Sequence, residues 1–547
     1  MRNEAVSAPF FEGFVRADNG RLVDASNEPL LLRGVGLGNW LLAEGYMWKF
    51  ESPGPQSPRE IEVLFVDLVG EERAAQFWAD FRDRFVTEAD IERIAAEGMN
   101  HVRLPINSRV VMDADGALIS SGLELIDRLI GWCRAHGLWV ILDLHGAPGG
   151  QTGTNIDDSP NGEPELFIER RYQDQTVALW VALARRYRDE PVVAAYDLLN
   201  EPLPNGYGKR YASELVALYK RLTAAIREVD PHHLIVYEGT HWATDWSIFT
   251  EVWDANSMLQ FHKYWSPPDR PSIRRYLATA NDLGLPIYMG EGGENNPAWL
   301  QTAFQLYEDH GISWNFWPWK KMDTRTSPCS VEPPDGWSVV LAYAAGTAAK
   351  PSADAAWKIL RNLLEAMELA RCTYQPEVIA AILRRAPLRI PGVGFGFLGP
   401  ARSYLTSATA TLDGFRSDDL VTIRNADGST PRTLNFDHAE GASNSSDDGL
   451  VVSLGPRDWV AYEVNVVGAT KLELVVATVR TEGCEIGASI DGEPVEIEPS
   501  RDGLMRGTST SAIAAGRHEV RIECVRGEAS IRWLELTQTD GTSVHRT

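Results

Sequence analysis

"VAAYDLLNEP", residues 193–202, is apolar for the length of one buried strand and then stops on Asn200, Glu201 and Pro202. Seven other short apolar, β-branched segments share this design: "LLLRGVG" from Leu30, "NHVRLPI" from Asn100, "LWVILDLH" from Leu138, "HLIVYEG" from His233, "MLQFHKY" from Met258, "PIYMGEG" from Pro286 and "ISWNFW" from Ile312. Between them run stretches with helical spacing, such as "EADIERIAAEG", "GLELIDRLIGWCRAHG" and "SELVALYKRLTAAIREVD", the first two closing on the glycine expected of a helix C-cap. Strand and helix alternating in this way predict a parallel α/β fold, and eight such units predict a (β/α)₈ TIM barrel with long loops.

Behind the barrel the texture changes. Residues 354–385 keep a helical pattern, and "RIPGVGFGFLGP" then breaks both periodicities, so 391–400 reads as a linker. Past it, "DWVAYEVNVV", "KLELVVATV", "HEVRIECV" and "ASIRWLEL" alternate in period two between short polar turns, the pattern of an antiparallel β-sandwich. The expected organisation is a barrel over 1–390, the linker, and a sandwich over 401–547. "GASNSSDDG" is a small polar cluster within the sandwich.

Composition excludes several classes of function. At 547 residues, 44% of them hydrophobic, the chain is long enough for more than one core, and its 18 tryptophans suit both packing and sugar stacking. A net charge of -24 with no basic cluster argues against nucleic acid. The opening residues lack the apolar core of a signal peptide and no run is long enough to span a membrane, so the expected setting is cytoplasmic. Five widely spread cysteines without CxxC spacing indicate neither a disulfide framework nor a zinc site, although Cys484 and Cys524 could meet across strands.

In a barrel of this kind the chemistry sits where the strands end. Those ends are polar in every case but the first: Arg103, His145, Asn200 with Glu201, Glu238, His262 with Tyr264, Glu291, and Trp317 with Trp319. One strand-end glutamate alone is commonly a solvated carboxylate. Several ionisable groups around one rim are another matter, because apolar strands gain no stability from them. Two carboxylates facing each other across a rim are what cleavage of a glycosidic bond requires, one as acid and the other as nucleophile or stabiliser. A metal site built from His145, His262 and Glu291 is the weaker alternative, since these residues lie on separate strands without a close-spaced ligand pair.

The segments "RGVGLGNWLLAE", "HVRLPI", "DLHGAPGGQTG", "LLNEP", "FHKY", "GEGG" and "FWPWK" resemble, in order, those of glycoside hydrolase family 5. The resemblance covers about 30–319 and implies a retaining (β/α)₈ enzyme with Glu201 as acid/base and Glu291 as nucleophile. It further implies Arg103, His145, Asn200, His262, Tyr264 and Trp317 around the substrate, Glu201 with a raised pKa, and no cofactor or metal; Trp319, at the end of the eighth strand, is a further candidate for substrate binding. Within the family "GNWLLAE" looks most like the exo-β-1,3-glucanase branch, in which the position of Glu44 closes the non-reducing end. Asn155 stands where that branch usually has an aspartate, and Asn39 where it has a glycine. Trp40, Tyr46 and Trp48 are then expected to wall the barrel mouth.

The implied activity is a retaining exo-β-glycosidase on β-glucosides or short β-glucan oligosaccharides. Its rivals are an endo-β-glucanase or mannanase, and a carbohydrate-binding protein on an inactive barrel. The sandwich resembles carbohydrate-binding modules of families 6 and 35, with Trp459, Tyr462 and Trp533 expected in its core because each sits within an alternating strand. Oligomeric state is not legible in the sequence.

Overall fold

The eight apolar segments form one closed parallel barrel in the computed structural model, which describes residues 11–407, 411–431, 434–438, 441, 449–480 and 483–539. The first ten residues and most of the polar cluster at 441–449 lie outside the described residues. The barrel strands are β1 (Arg33–Gly36), β2 (His101–Asn107), β3 (Trp139–Gly146), β4 (Val193–Asp197), β5 (Leu234–Glu238), β6 (Ser257–His262), β7 (Ile287–Gly293) and β8 (Ser313–Trp317), with β8 pairing back to β1. Helices follow most strands: α1 (Pro58–Val69), α2 (Glu71–Arg84) and α3 (Glu88–Ala96) after β1, α4 (Ser120–His136) after β2, α5 (Arg170–Tyr187) after β3, α6 (Tyr207–Arg227) after β4 and α7 (Arg270–Leu283) after β6. α4 stops at Gly137, whose φ of 73° lets its N–H bond back to Cys133. Between β5 and β6 the chain runs instead through turns and isolated bridges.

Period-two alternation sorts the barrel interior into layers. Ile141, Ala195, Leu234, Val236, Met258 and Tyr288 share a buried apolar cluster, joined by Leu22 from the small antiparallel sheet at residues 16–30 and by Val15 just before it. Two residues further along the same strands come Asp143, Asp197, Glu238 and Gln260, all fully buried, and then His145 and His262. The apolar layer thus carries a polar one, and the polar one carries the rim. β7 needs an irregularity to join in: parity would turn Glu291 away from the side that Tyr288 occupies, but the pairing with β6 slips between Met289 and Glu291 and sets Glu291 opposite His262. Gly290 is the residue taken up by that slip, and a Cβ there would lie 2.2 Å from the Gln260 amide.

The chain divides into two compact units. One holds the described residues through Lys263, with Tyr276–Gly292 and Ser313–Tyr374; the other holds Tyr264–Arg275, Gly293–Ile312 and the described residues from Gln375 on. The second unit therefore includes helix α8 (Pro297–Asp309) as well as the sandwich. Its sheets are antiparallel. One runs in the order Thr422–Asn425, Leu450–Leu454, Ala529–Gln538, Leu472–Arg480, Met505–Thr508, Glu498–Pro499, and the other in the order Tyr404–Leu405, Trp459–Val466, Gly516–Arg526, Glu485–Ile490, Glu493–Val495.

The stretch expected to be a linker is folded. Leu388–Pro391 pairs with Ala529–Gln538, and Val393, Phe395 and Phe397 are buried, because two phenylalanines and a valine set among the glycines supply an apolar face. Trp459 and Tyr462 are buried as expected, whereas Trp533 is half-buried beneath the Arg389 guanidinium. All five cysteines are free. No helix among the described residues is long and apolar enough to cross a membrane.

Candidate active site

Arg103, fully buried on β2, is the hub of the rim. Its Nε donates to Asp197 at 2.9 Å, its Nη1 to Glu291 Oε1 at 2.5 Å, and its Nη2 to Asn200 Oδ1 at 2.9 Å and Glu238 Oε1 at 3.2 Å, with Asp143 at 3.1 Å. One guanidinium among four buried carboxyl groups cannot neutralise them all, so protons stay in the cluster. Burial pushes Asp143 up to about 7, Asp197 to about 6 and Glu238 to about 8, against the pull of the nearby Arg103 and His262 charges. Arg103 itself suffers from burial, but the surrounding carboxylates raise it well above its ordinary value.

His262 stands between the two glutamates. Its Nδ1 is 2.7 Å from Glu201 Oε1 and 3.7 Å from Glu291 Oε2, and one ligand atom from each of the three residues falls within 4.8 Å of the others. Burial disfavours its cation, yet the charges of Glu238 and Glu291 and the hydrogen bond to Glu201 raise it well above the usual imidazole value. His145 behaves oppositely: burial lowers it to about 4, so it is a neutral ring, with Nδ1 2.7 Å from Asp143 and Nε2 3.3 Å from the Asn200 amide. It stacks on Trp317, ring centroids 5.5 Å apart and planes 5° from parallel, and Trp317 donates to the Tyr46 hydroxyl at 3.0 Å.

The "NEP" turn aims Glu201. Glu201 has φ of 44° and Leu203 55°, both in the left-handed region. Gln151 holds the turn from the loop after β3, donating from its amide to the Asn200 carbonyl and accepting the Leu203 N–H at its own carbonyl. Glu201 is the more open of the pair, its side chain 13% exposed against 6% for Glu291.

The sequence-predicted residues thus meet in large part: Arg103, His145, Asn200, Glu201, His262, Glu291 and Trp317 form one contact network. Both ends of the Asn200 amide are engaged by protein, so it bridges Arg103 and His145. Glu44 is buried on the loop after β1, its N–H bonded to the Asn39 amide. Tyr264 belongs to the second unit, its ring centroid 5.4 Å from that of Trp265.

Three tryptophans differ from expectation. Trp319 is buried with its indole donating to Asp90 on α3, where Lys320 also pairs, so it presents no face to a ligand. Trp48 is enclosed by Phe65, Trp78, Phe81 and Trp337, and Trp40 donates to the Arg82 carbonyl. Trp48 is drawn away because α1 and α2 offer an aromatic core to pack in; of the expected mouth residues Trp40, Tyr46 and Trp48, it is Tyr46 that bonds to Trp317. Strand ends alone do not single out Asp143, Asp197 or Gln260, and they give Glu238 no role of its own. Their signal was a charge or amide inside an otherwise apolar strand, which is stable only with partners.

Residues that could hold a metal ion, among those described, are Glu201, His262 and Glu291. These are the same atoms that the two-carboxylate chemistry uses.

Residues 68–323 match the family described as "Cellulase (glycosyl hydrolase family 5)". A "Beta-xylosidase" of Phanerodontia chrysosporium is 29% identical over 346 residues, 56% of this chain and 71% of that protein. A "Probable glucan 1,3-beta-glucosidase A" of Emericella nidulans is 34% identical over 277 residues, 48% of this chain and 66% of that protein. Among solved structures, "Crystal structure of endogalactoceramidase" aligns with TM-score 0.48 and 16% identity over 93% of this chain and 99% of that one. Through residues 68–323, then, the chain is similar to the cellulase family, glycosyl hydrolase family 5.

Proposed function

We propose that the chain is a retaining exo-β-glycosidase that hydrolyses β-glucosides or short β-glucan oligosaccharides. The observation that carries this is the approach of Glu201 and Glu291, whose nearest carboxylate oxygens lie within 4.8 Å. That suits a nucleophile and an acid/base, for which the carboxyl groups stand about 5–5.5 Å apart; inversion needs about 6.5–9.5 Å to seat a water between them. In the first step Glu291 bonds to the anomeric carbon while the Glu201 proton passes to the departing oxygen. In the second, Glu201 as carboxylate takes a proton from water, whose oxygen displaces Glu291. Arg103 orients Glu291 throughout, and the electrons balance without a cofactor.

Support for exo action comes from the loop after β1. Asn39 folds it, Glu44 is buried within it, and Tyr46 reaches Trp317. Glu44 would accept hydroxyls of the terminal sugar. The two named relatives, a β-xylosidase and a probable glucan 1,3-β-glucosidase, are consistent with a site for chain ends and differ in whether the sugar carries a hydroxymethyl group.

The test is product analysis with aryl β-glucoside, β-xyloside and β-mannoside together with end-labelled β-glucan oligosaccharides. Single sugars released stepwise from the non-reducing end support the proposal. Mixed oligosaccharides with rapid loss of polymer viscosity would favour an endo-glucanase.

A further inference from the structure

Glu238 has no place in the two-step reaction, yet it touches Glu201 from below. Its Oε2 accepts the Glu201 backbone N–H at 2.6 Å, within the strained turn. Its Oε1 faces Arg103 Nη2 at 3.2 Å, the Gln260 amide, and His262 Nε2 at 3.5 Å. His262 in turn holds the Glu201 carboxylate through Nδ1. One buried carboxyl group therefore meets both ends of the same residue, the backbone directly and the side chain through a ring. The end of β5 is itself fixed, because Tyr219 on α6 donates its hydroxyl to the Glu238 carbonyl at 3.0 Å.

Without that acceptor, the part-buried Glu201 N–H would lose the hydrogen bond that holds it. A left-handed residue persists only when its surroundings hold it there. Losing Glu238 would free the turn to relax and swing the Glu201 carboxyl off its line to the leaving oxygen.

We propose that Glu238 is a positioning residue for the acid/base, clamping the strained backbone of Glu201 with one oxygen and the His262 ring that orients the Glu201 carboxyl with the other. The proposal rests on Glu201 being the acid/base, as proposed above.

A misplaced acid/base leaves a signature that general loosening does not. Departures that need protonation slow most, and a small anion can substitute for the missing base. Glu238→Ala, Glu238→Gln and Glu201→Ala are to be compared on 2,4-dinitrophenyl β-glucoside, which leaves unaided, and on phenyl β-glucoside, which does not, with and without azide. Glu238→Ala should lose on the order of 10²-fold more on the phenyl substrate than on the dinitrophenyl one, and azide should accelerate it on the latter. Glu238→Gln keeps the volume and one acceptor oxygen, so it should fold and show the same bias at about tenfold. Equal losses on both substrates without azide acceleration, or wild-type rates in Glu238→Gln, would overturn the proposal. If Glu201→Ala responds to azide and neither Glu238 variant does, this inference alone fails; if Glu201→Ala is itself indifferent to azide and leaving group, the acid/base assignment falls first.

Discussion

Arg103 and Glu291 meet across 2.5 Å in the barrel interior, guanidinium to carboxylate, with Arg103 fully buried. The remaining nitrogens of Arg103 serve Asp197, Asn200, Glu238 and Asp143, so the orientation of the nucleophile is tied to the rest of the rim. Arg103→Lys keeps the charge but not the fork that makes these contacts together. It should destabilise the protein by about 3–5 kcal/mol, the cost of breaking a buried ion pair, and lower kcat by roughly 10²-fold through misplacement of Glu291. Urea unfolding and steady-state kinetics measure the two effects. Near-wild-type behaviour in both would contradict the role given to Arg103.

Asn39 sits at φ of 72°, and its side-chain oxygen accepts both the Glu44 N–H and the Trp48 indole. Asparagine tolerates this conformation better than other residues with a Cβ. Asn39→Ala should cost about 1–2 kcal/mol from backbone strain beyond the lost hydrogen bonds. Asn39→Gly relieves the strain and loses only the bonds, so denaturant midpoints should fall in the order wild type, Gly, Ala. Equal midpoints for the two variants would count against the strain.

The protonated cluster predicts how stability responds to pH. Asp143 and Glu238, raised to about 7 and about 8, keep protons in the folded state that the unfolded chain releases near pH 4. Their contribution is full below about pH 4 and is lost as pH rises through these folded values. His262 has the same sign, full below about pH 6.5 and lost as pH passes its raised value. His145 and His101, lowered to about 4 and about 3, act oppositely, but only below about pH 6.5, where the unfolded chain takes up protons. Unfolding free energy should therefore fall between about pH 6.5 and 8, and Glu238→Gln should flatten the fall. Denaturant titrations across that range check it; a rise would contradict the protonation scheme.

Arg384, 1% exposed, pairs with Glu308 on α8 and with Glu463 in the sandwich, at 2.7 Å to each. A chain cut near Leu388 removes Glu463 and the strand that pairs with Leu388–Pro391, leaving Arg384 short of a partner and α8 stripped of its unit. The shortened protein should be insoluble or lose several kcal/mol of stability. Solubility and thermal unfolding decide, and a soluble truncated chain of undiminished Tm would show the sandwich to be independent.

Most of the barrel was legible because each strand announces itself by an apolar run ending in polar residues, and "LLNEP" and "GEGG" name the two glutamates. Looking at strand ends alone passed over Asp143, Asp197 and Gln260, which lie one inward step earlier. Glu291 faces inward through a slip in register that alternation cannot foretell. Trp40, Trp48 and Trp319 show the opposite limit: an aromatic near the rim can turn to substrate or to helices, and only its packed partners decide, Phe65, Trp78 and Phe81 for Trp48, the Arg82 carbonyl for Trp40 and Asp90 for Trp319. "GVGFGF" read as a linker from its glycines, while its phenylalanines were bound for a core.

Retention through Glu201 and Glu291 is tested most directly by proton NMR of the sugar released in the first minutes from an aryl β-glucoside. With the two carboxylate oxygens within 4.8 Å, two displacements at the anomeric carbon should release the β-anomer first, with the α-anomer growing only by mutarotation. The α-anomer as first product would mean a single displacement by water and would contradict the assignment of Glu291 as nucleophile.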